Sequence, residues 1–504
     1  MKDLCQSVRT AACARLILLG ILLLSGSAWA QASWNNFHNP TPYIDQVYPT
    51  AARQGSFGFL LTVRGAGFRP GAEVGWQLGE TQLRLPAFVV SSAELATWIP
   101  VPLTSRATTA TVTVINPNGR SLVGASNPVL LPITRPTHTV AFKQNTLALG
   151  LVPLAFVTGD FNRDGKLDLA IAEPCGTNPN CASPPASANI AILLGKGDGT
   201  FTTAPPIAIG GFPNAFAVGD FNGDGNPDLA VVQANAGTVS ILLGDGHGRF
   251  TAEPSLLDTG TYVNSIVAGD VNQDGKLDLV VSNGNTGTVA IWLGKGDGTF
   301  TPGSSIPITN IPEGLSLGDL NGDGKLDLVV TTEYEPQVSH IAILLGDGKG
   351  DFTQIASPSA PFEPFVGLGD VNGDGKPDLV VSYSPGLPDL QDTVSVLLGQ
   401  GNGLFGTGIT SPAVVGQIGG GLLGDFNGDG KLDLAIEIGY PTNSYDFVLG
   451  DGKGTFNLAD SVVVGNQSGP AVVGDFNGDG RLDLAVFGGQ NGGTVTVLLQ
   501  QPAP

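Results

Sequence analysis

The stretch GDFNRDGKLDLAIAE, residues 159–173, puts three aspartates into one short loop: Asp160, Asp164 and Asp168, with Asn162 and Gly165 between them. In the pattern D-x-N-x-D-G-x-x-D, positions 1, 3, 5 and 9 carry side-chain oxygens that can converge on one point. Position 6 is a glycine that permits a sharp turn, and position 7 offers its backbone carbonyl. An all-oxygen, largely anionic donor set suits a hard cation such as Ca2+. Carboxylates gathered so closely repel one another unless a cation or a proton relieves them. Metal-free Asx turns are the alternative, since Asn, Asp and Gly favour hairpins on their own.

Seven copies occur, with leading aspartates at 160, 220, 270, 319, 370, 425 and 475, spaced 49 to 60 residues apart. The candidate ligands are Asp160, Asn162, Asp164, Lys166 and Asp168 in loop 1, and Asp220, Asn222, Asp224, Asn226 and Asp228 in loop 2. Loop 3 supplies Asp270, Asn272, Asp274, Lys276 and Asp278; loop 4 supplies Asp319, Asn321, Asp323, Lys325 and Asp327. Loop 5 supplies Asp370, Asn372, Asp374, Lys376 and Asp378; loop 6 supplies Asp425, Asn427, Asp429, Lys431 and Asp433; loop 7 supplies Asp475, Asn477, Asp479, Arg481 and Asp483. The lysines, the arginine and Asn226 enter only through their carbonyls. Position 12 is apolar, as at Ile171 and Val231, so the bidentate glutamate of an EF-hand is absent. Up to seven structural Ca2+ ions are expected. The loops hold 21 of the 44 acidic residues. Their acidity argues against nucleic acid or an anionic membrane as partner.

Strands must hold these loops. Each loop is followed by an alternating run such as LDLAIAE, then by a strand such as TVSILLG, a glycine turn such as GDGHGRF and a further extended stretch. About four strands per repeat is the content of a propeller blade. The composition agrees with an all-β protein: Gly 73, Pro 36 and only 13% charged residues. The seventh copy ends at TVTVLLQQPAP without its glycine turn and fourth strand, whereas Phe142 lies 18 residues before Asp160, in the place where Phe201 to Phe456 precede their own aspartates. A strand from the N-terminal side would complete the last blade and remove the open edges. An open solenoid is the alternative. Residues 138–500 resemble the FG-GAP/VCBS repeats also found in integrin α-chains. That resemblance implies a seven-bladed β-propeller with Ca2+ in its hairpin loops, commonly in secreted adhesion or ligand-binding proteins.

Ahead of the repeats, Lys2, Arg9 and Arg15 precede the apolar run Leu16 to Leu24, and Ala28-Trp29-Ala30 offers a cleavage site, so residues 1–30 read as a signal peptide. An uncleaved anchor is the alternative. Cys175 and Cys181 stand in a Pro/Asn/Ser loop and are expected to pair as a disulfide after export, a metal or redox pair being the other reading. Residues 40–134 alternate with period two between Gly, Pro and Asn, the pattern of a small β-sandwich. Pro49, Val63, Gly65, Gly67, Phe68, Gly71, Pro100, Asn116, Pro117, Gly119 and Ser121 resemble the IPT/TIG immunoglobulin-like family.

No catalytic residues emerge. GLSLG at 314–318 matches a nucleophile elbow formally but occupies a strand position, and His38, His138, His247 and His340 are scattered. The expectation is a secreted, extracellular or cell-surface monomer. It would be a non-enzymatic Ca2+ protein that binds a protein or glycan ligand, with no membrane insertion of the mature chain. The alternative is a lyase-like, Ca2+-dependent enzyme acting on polysaccharide. The irregular loops opposite the acidic hairpins, with Tyr334, Tyr383, Tyr440 and Tyr445, are the expected ligand face.

Overall fold

The computed structural model describes most of residues 41–501. Residues 1–40, 174–187, 334–339, 384–392, 412–417 and 502–504, together with several shorter turns, fall outside the described residues. Seven four-stranded antiparallel blades follow one another, two of them with an extra short strand. Blade 1 comprises Phe156–Gly159, Asp168–Glu173, Ala188–Gly195 and Phe201–Thr203. The first strands of the seven blades touch their neighbours all the way round a closed ring, blade 7 meeting blade 1.

Burial explains why the second strands lack polar alternation. Asp168–Glu173, Asp228–Gln233 and Asp278–Asn283 are buried at every residue, because each lies within a sheet that is covered on both faces by adjacent blades. Leu169, Ile171 and Leu193 of blade 1 thus share a core with Phe487, Val495 and Val497 of blade 7, while Ile190 and Ile192 pack against Leu229 and Leu242 of blade 2. Burying side chains of this size contributes roughly 1.5–3 kcal/mol each.

Blade 7 consists of Ala471–Gly474, Asp483–Gly488 and Thr494–Gln500, and its outermost strand is Phe142–Ala148. The pairing runs from Thr494↔Ala148 to Gln500↔Phe142. Phe142 also stacks on Phe447 of blade 6 with ring centroids 4.2 Å apart. In blades 1 to 5 the glycine turn donates an N–H to a carbonyl of the preceding acidic loop, as Gly199 does to Phe476 at 3.1 Å and Gly248 to Phe161 at 3.0 Å. Blade 7 has no such turn, and the Gln500 side-chain amide makes the equivalent bond to the Phe426 carbonyl.

Residues 43–134 form eight strands in the order first, third, sixth, fifth, fourth, seventh, eighth, second. Thr81–Val89 pairs with both Glu73–Leu78 and Glu94–Ile99. Leu61, Val63, Phe68, Val74, Trp76, Leu95 and Val112 form its core. This segment rests on the acidic-loop side of the ring. Thr41 donates to the Gly223 carbonyl at 2.8 Å, the Tyr43 hydroxyl to that of Val218 at 3.2 Å, and the Thr137 amide to that of Asn427 at 2.8 Å.

Candidate metal centres

Each acidic loop joins the first strand of its blade to the second, and position 9 is the first residue of that second strand: Gly159 pairs with Asp168, Gly219 with Asp228 and Gly474 with Asp483. The turn needs two left-handed residues. Position 6 is glycine in all seven copies, from Gly165 at φ 81° to Gly480 at φ 82°. Position 4 has positive φ as well, and in two loops an ordinary residue bears it, Arg163 at 57° and Gln273 at 58°. Left-handed geometry costs such residues roughly 1–2 kcal/mol. Both reach across to the next loop, Arg163 to Asn226 Oδ1 at 3.2 Å and Gln273 to the Gly324 carbonyl at 2.9 Å.

Backbone amides organise the carboxylates. In loop 1, Asp160 Oδ1 accepts from the Asp164 N–H at 3.0 Å and Oδ2 from Gly165 at 2.9 Å, while Asn162 Oδ1 accepts from Asp164 at 2.9 Å. Asp164 Oδ1 accepts from the Lys166 N–H at 3.0 Å, and its Oδ2 meets Lys166 Nζ at 3.1 Å. Asp168 reaches furthest: Oδ2 accepts from Phe161 at 2.9 Å and Oδ1 from Gly195, at the end of the third strand, at 2.7 Å. Position 9 repeats this clamp in every blade, ending on Gly244, Gly294, Gly346, Gly399, Gly450 and, in blade 7, Gln500. A Cβ at Gly195 would collide with the Leu167 carbonyl, which explains the glycine that closes the third strand.

Two features of the site go beyond the sequence reading. Position 9 is a strand clamp, and the recurrent glycine of ILLG and IWLG was its available signal. The position 7 side chains, expected to contribute carbonyls alone, pair with the position 5 carboxylates in six loops at 2.9–3.8 Å, as Lys325 does with Asp323 and Arg481 with Asp479. The i, i+2 spacing within D-G-K was the signal there. Two loops also receive hydroxyls from the N-terminal segment. Ser92 Oγ donates to Asp270 Oδ2 at 2.8 Å, and Thr109 Oγ1 donates to Asp475 Oδ2.

Burial, followed by repulsion within each loop, pushes the position 9 carboxyls far up: Asp168 to about 7, and Asp228, Asp278, Asp433 and Asp483 to about 8. Burial also raises position 1, taking Asp270 and Asp425 to about 7. Among the described residues, no three His, Cys, Asp or Glu side chains stand as a group that could hold a metal ion. The donor chemistry nonetheless fits Ca2+. The donors are all oxygen, the Asp160 and Asp168 oxygens of loop 1 each accept a single amide and so keep a second lone pair, and a dication would relieve the repulsion.

A pH dependence follows for the chelated protein. The folded-state pKa values lie above the unfolded value, so between about pH 4 and pH 8 the folded chain holds more protons than the unfolded chain. Its melting temperature is expected to fall as pH rises from 5 to 8, and that fall should vanish in saturating Ca2+. Calorimetry at both pH values, with and without chelator, checks this.

Other expected features place differently. Tyr445 is no surface contact: it is 2% exposed, and its hydroxyl donates to the Gly469 carbonyl at 2.7 Å. Tyr334, Tyr440, Cys175 and Cys181, and the side chain of Tyr383, lie outside the described residues. Ser316 of GLSLG sits inside the strand Ile311–Gly318, not at a strand-to-helix turn.

Residues 160–231, 220–281, 270–330, 319–381 and 370–436 match the model of the FG-GAP-like repeat, together more than half of the chain, and residues 468–498 match the FG-GAP repeat. The chain belongs to the FG-GAP repeat family. No curated protein matches it. Among solved structures, this FG-GAP protein is similar to virginiamycin B lyase from Staphylococcus aureus, with 13% identity, 71% of this chain and 99% of that chain covered, and a TM-score of 0.43. It is also similar to a periplasmic gluconolactonase from Pseudomonas aeruginosa, with 16% identity, 72% and 94% covered, and a TM-score of 0.41. A protein from Lactobacillus plantarum shows 14% identity, 78% and 96% covered, and a TM-score of 0.43. The expectation of a non-enzymatic protein is corrected by these findings. A lyase and a lactonase are among the similar propellers, so the architecture gives no ground for excluding catalysis, since one fold hosts many chemistries. At such identities no activity passes from them to this chain.

Proposed function

We propose that this FG-GAP propeller is an exported Ca2+ protein. Its acidic hairpins hold structural ions at the candidate ligands named above, and its opposite face binds an extracellular protein or glycan. What carries the reading is the sevenfold recurrence of a buried position 9 carboxylate beside two further aspartates, as at Asp168 with Asp160 and Asp164. Buried like charges are tolerable when neutralised or bound to a cation. Export is supported by the leader pattern of residues 1–30, and the disulfide reading of Cys175 and Cys181 goes with it. The pairing of Thr81–Val89 with two strands, around a core of its own, supports an IPT/TIG-like sandwich at residues 40–134. Among the described residues, no helix is long and apolar enough to cross a membrane.

The test is capture of extracellular proteins and arrayed glycans by the mature protein, with and without chelator. Ligand retained in Ca2+ and lost on chelation is the expected result. Binding that is unchanged after short loops replace those of the opposite face would sink the assignment of that face.

A further inference from the structure

We propose that blades 3 and 4 carry a binding site for an uncharged oligosaccharide, with Tyr262 as the platform for a sugar ring; this rests on the reading that the face opposite the acidic loops binds ligand. Tyr262 is 65% exposed and has φ 67°. A positive φ is a genuine outlier for a bulky residue, and here burial of the ring does not offset it. The ring does not stand alone. A Cβ built on Gly284 would lie 3.1 Å from Tyr262 Cδ1, 3.0 Å from Ile311 Cγ2 and 3.3 Å from Asn264 Nδ2. Side chains from two blades therefore gather over one bare backbone position, and the Gly284 N–H donates to the Tyr262 carbonyl at 2.9 Å. Ile311 is itself 39% exposed.

The residue before Ile311 is Asn310, also left-handed at φ 74°, and it lines an open recess of about 340 Å³ with His340 and Gln354. That volume is near the lower end of small-ligand sites, roughly 300–1,000 Å³. An aromatic ring beside an isoleucine matches the C–H face of a sugar, and amides with an imidazole match its hydroxyls. No carboxylate, lysine or arginine is among the described lining residues, which favours a neutral saccharide. A protein partner would need about 800 Å² of surface from each side, with its aromatic anchors seated in pockets. Tyr262 stands out from the surface instead.

The experiment screens the full chain, in Ca2+, against neutral glycans and measures the best hit by titration calorimetry. Tyr262→Gly suits the backbone angle while removing the ring, and should weaken binding at least tenfold at an unchanged melting temperature; Tyr262→Trp should keep it, and His340→Ala should weaken it several-fold. Equal binding by wild type and Tyr262→Gly overturns this site but leaves the ligand-face reading standing. Capture of a protein, with no glycan bound, likewise overturns it. No ligand of either kind overturns both.

Discussion

Stripping divalent cations from the purified protein is expected to lower its melting temperature by tens of degrees, and elemental analysis before stripping should return about seven Ca2+ per chain. An ion present at a hundredfold over its dissociation constant stabilises the fold by about 2.7 kcal/mol, and seven of them together amount to something on the order of 20 kcal/mol. Every loop joins the innermost strand of its blade to the next, so loosening the loops releases the strands that touch around the ring. A metal-free preparation with the same melting temperature in calcium and in chelator would refute the proposal.

Asp483→Ala should be the most damaging single substitution in the closing blade. Its carboxylate accepts from the Phe476 N–H at 3.0 Å and the Gln500 N–H at 2.8 Å, and the residue is fully buried. Each buried amide left without a partner costs roughly 1–3 kcal/mol, so a loss of about 2–6 kcal/mol is expected from the two bonds alone. Asp483→Asn keeps one acceptor and turns an NH2 toward the other amide, so it should recover only part of that loss. Denaturant unfolding of both variants in chelator separates the clamp from any contribution of an ion. Identical midpoints for wild type and Asp483→Ala under those conditions would show that the clamp does not hold blade 7.

The propeller was legible because a nine-residue motif recurs in step with its strands, and a repeat that regular leaves little freedom in strand order. The offset of Phe142 from Asp160 also marked where the strand Phe142–Ala148 pairs in space. The second duty of position 9 was hidden, because a carboxylate that clamps an amide and one that ligates an ion are the same letter in the sequence. Tyr445 departs from the expected ligand face because the irregular loop is shorter than its polar residues suggest: the strand begins at Ser444 and turns the tyrosine inward. Contacts such as Ser92 to Asp270 join residues far apart in the chain, and no local pattern announces them. No local pattern marks Tyr262, whose exposure and backbone angle exist only in the folded chain.

The pairing of Phe142 with Gln500 has a mechanical consequence. Both chain segments leave the closing strand pair at the same end, where the Gln501 N–H donates to the Ala141 carbonyl at 2.7 Å. A load applied across residues 141 and 501 therefore peels that pair open one hydrogen bond at a time rather than shearing all of its bonds together. A pull arriving from the N-terminal side meets the Thr41, Ser92, Thr109 and Thr137 anchors first, and these can bear tension before the clasp is stressed.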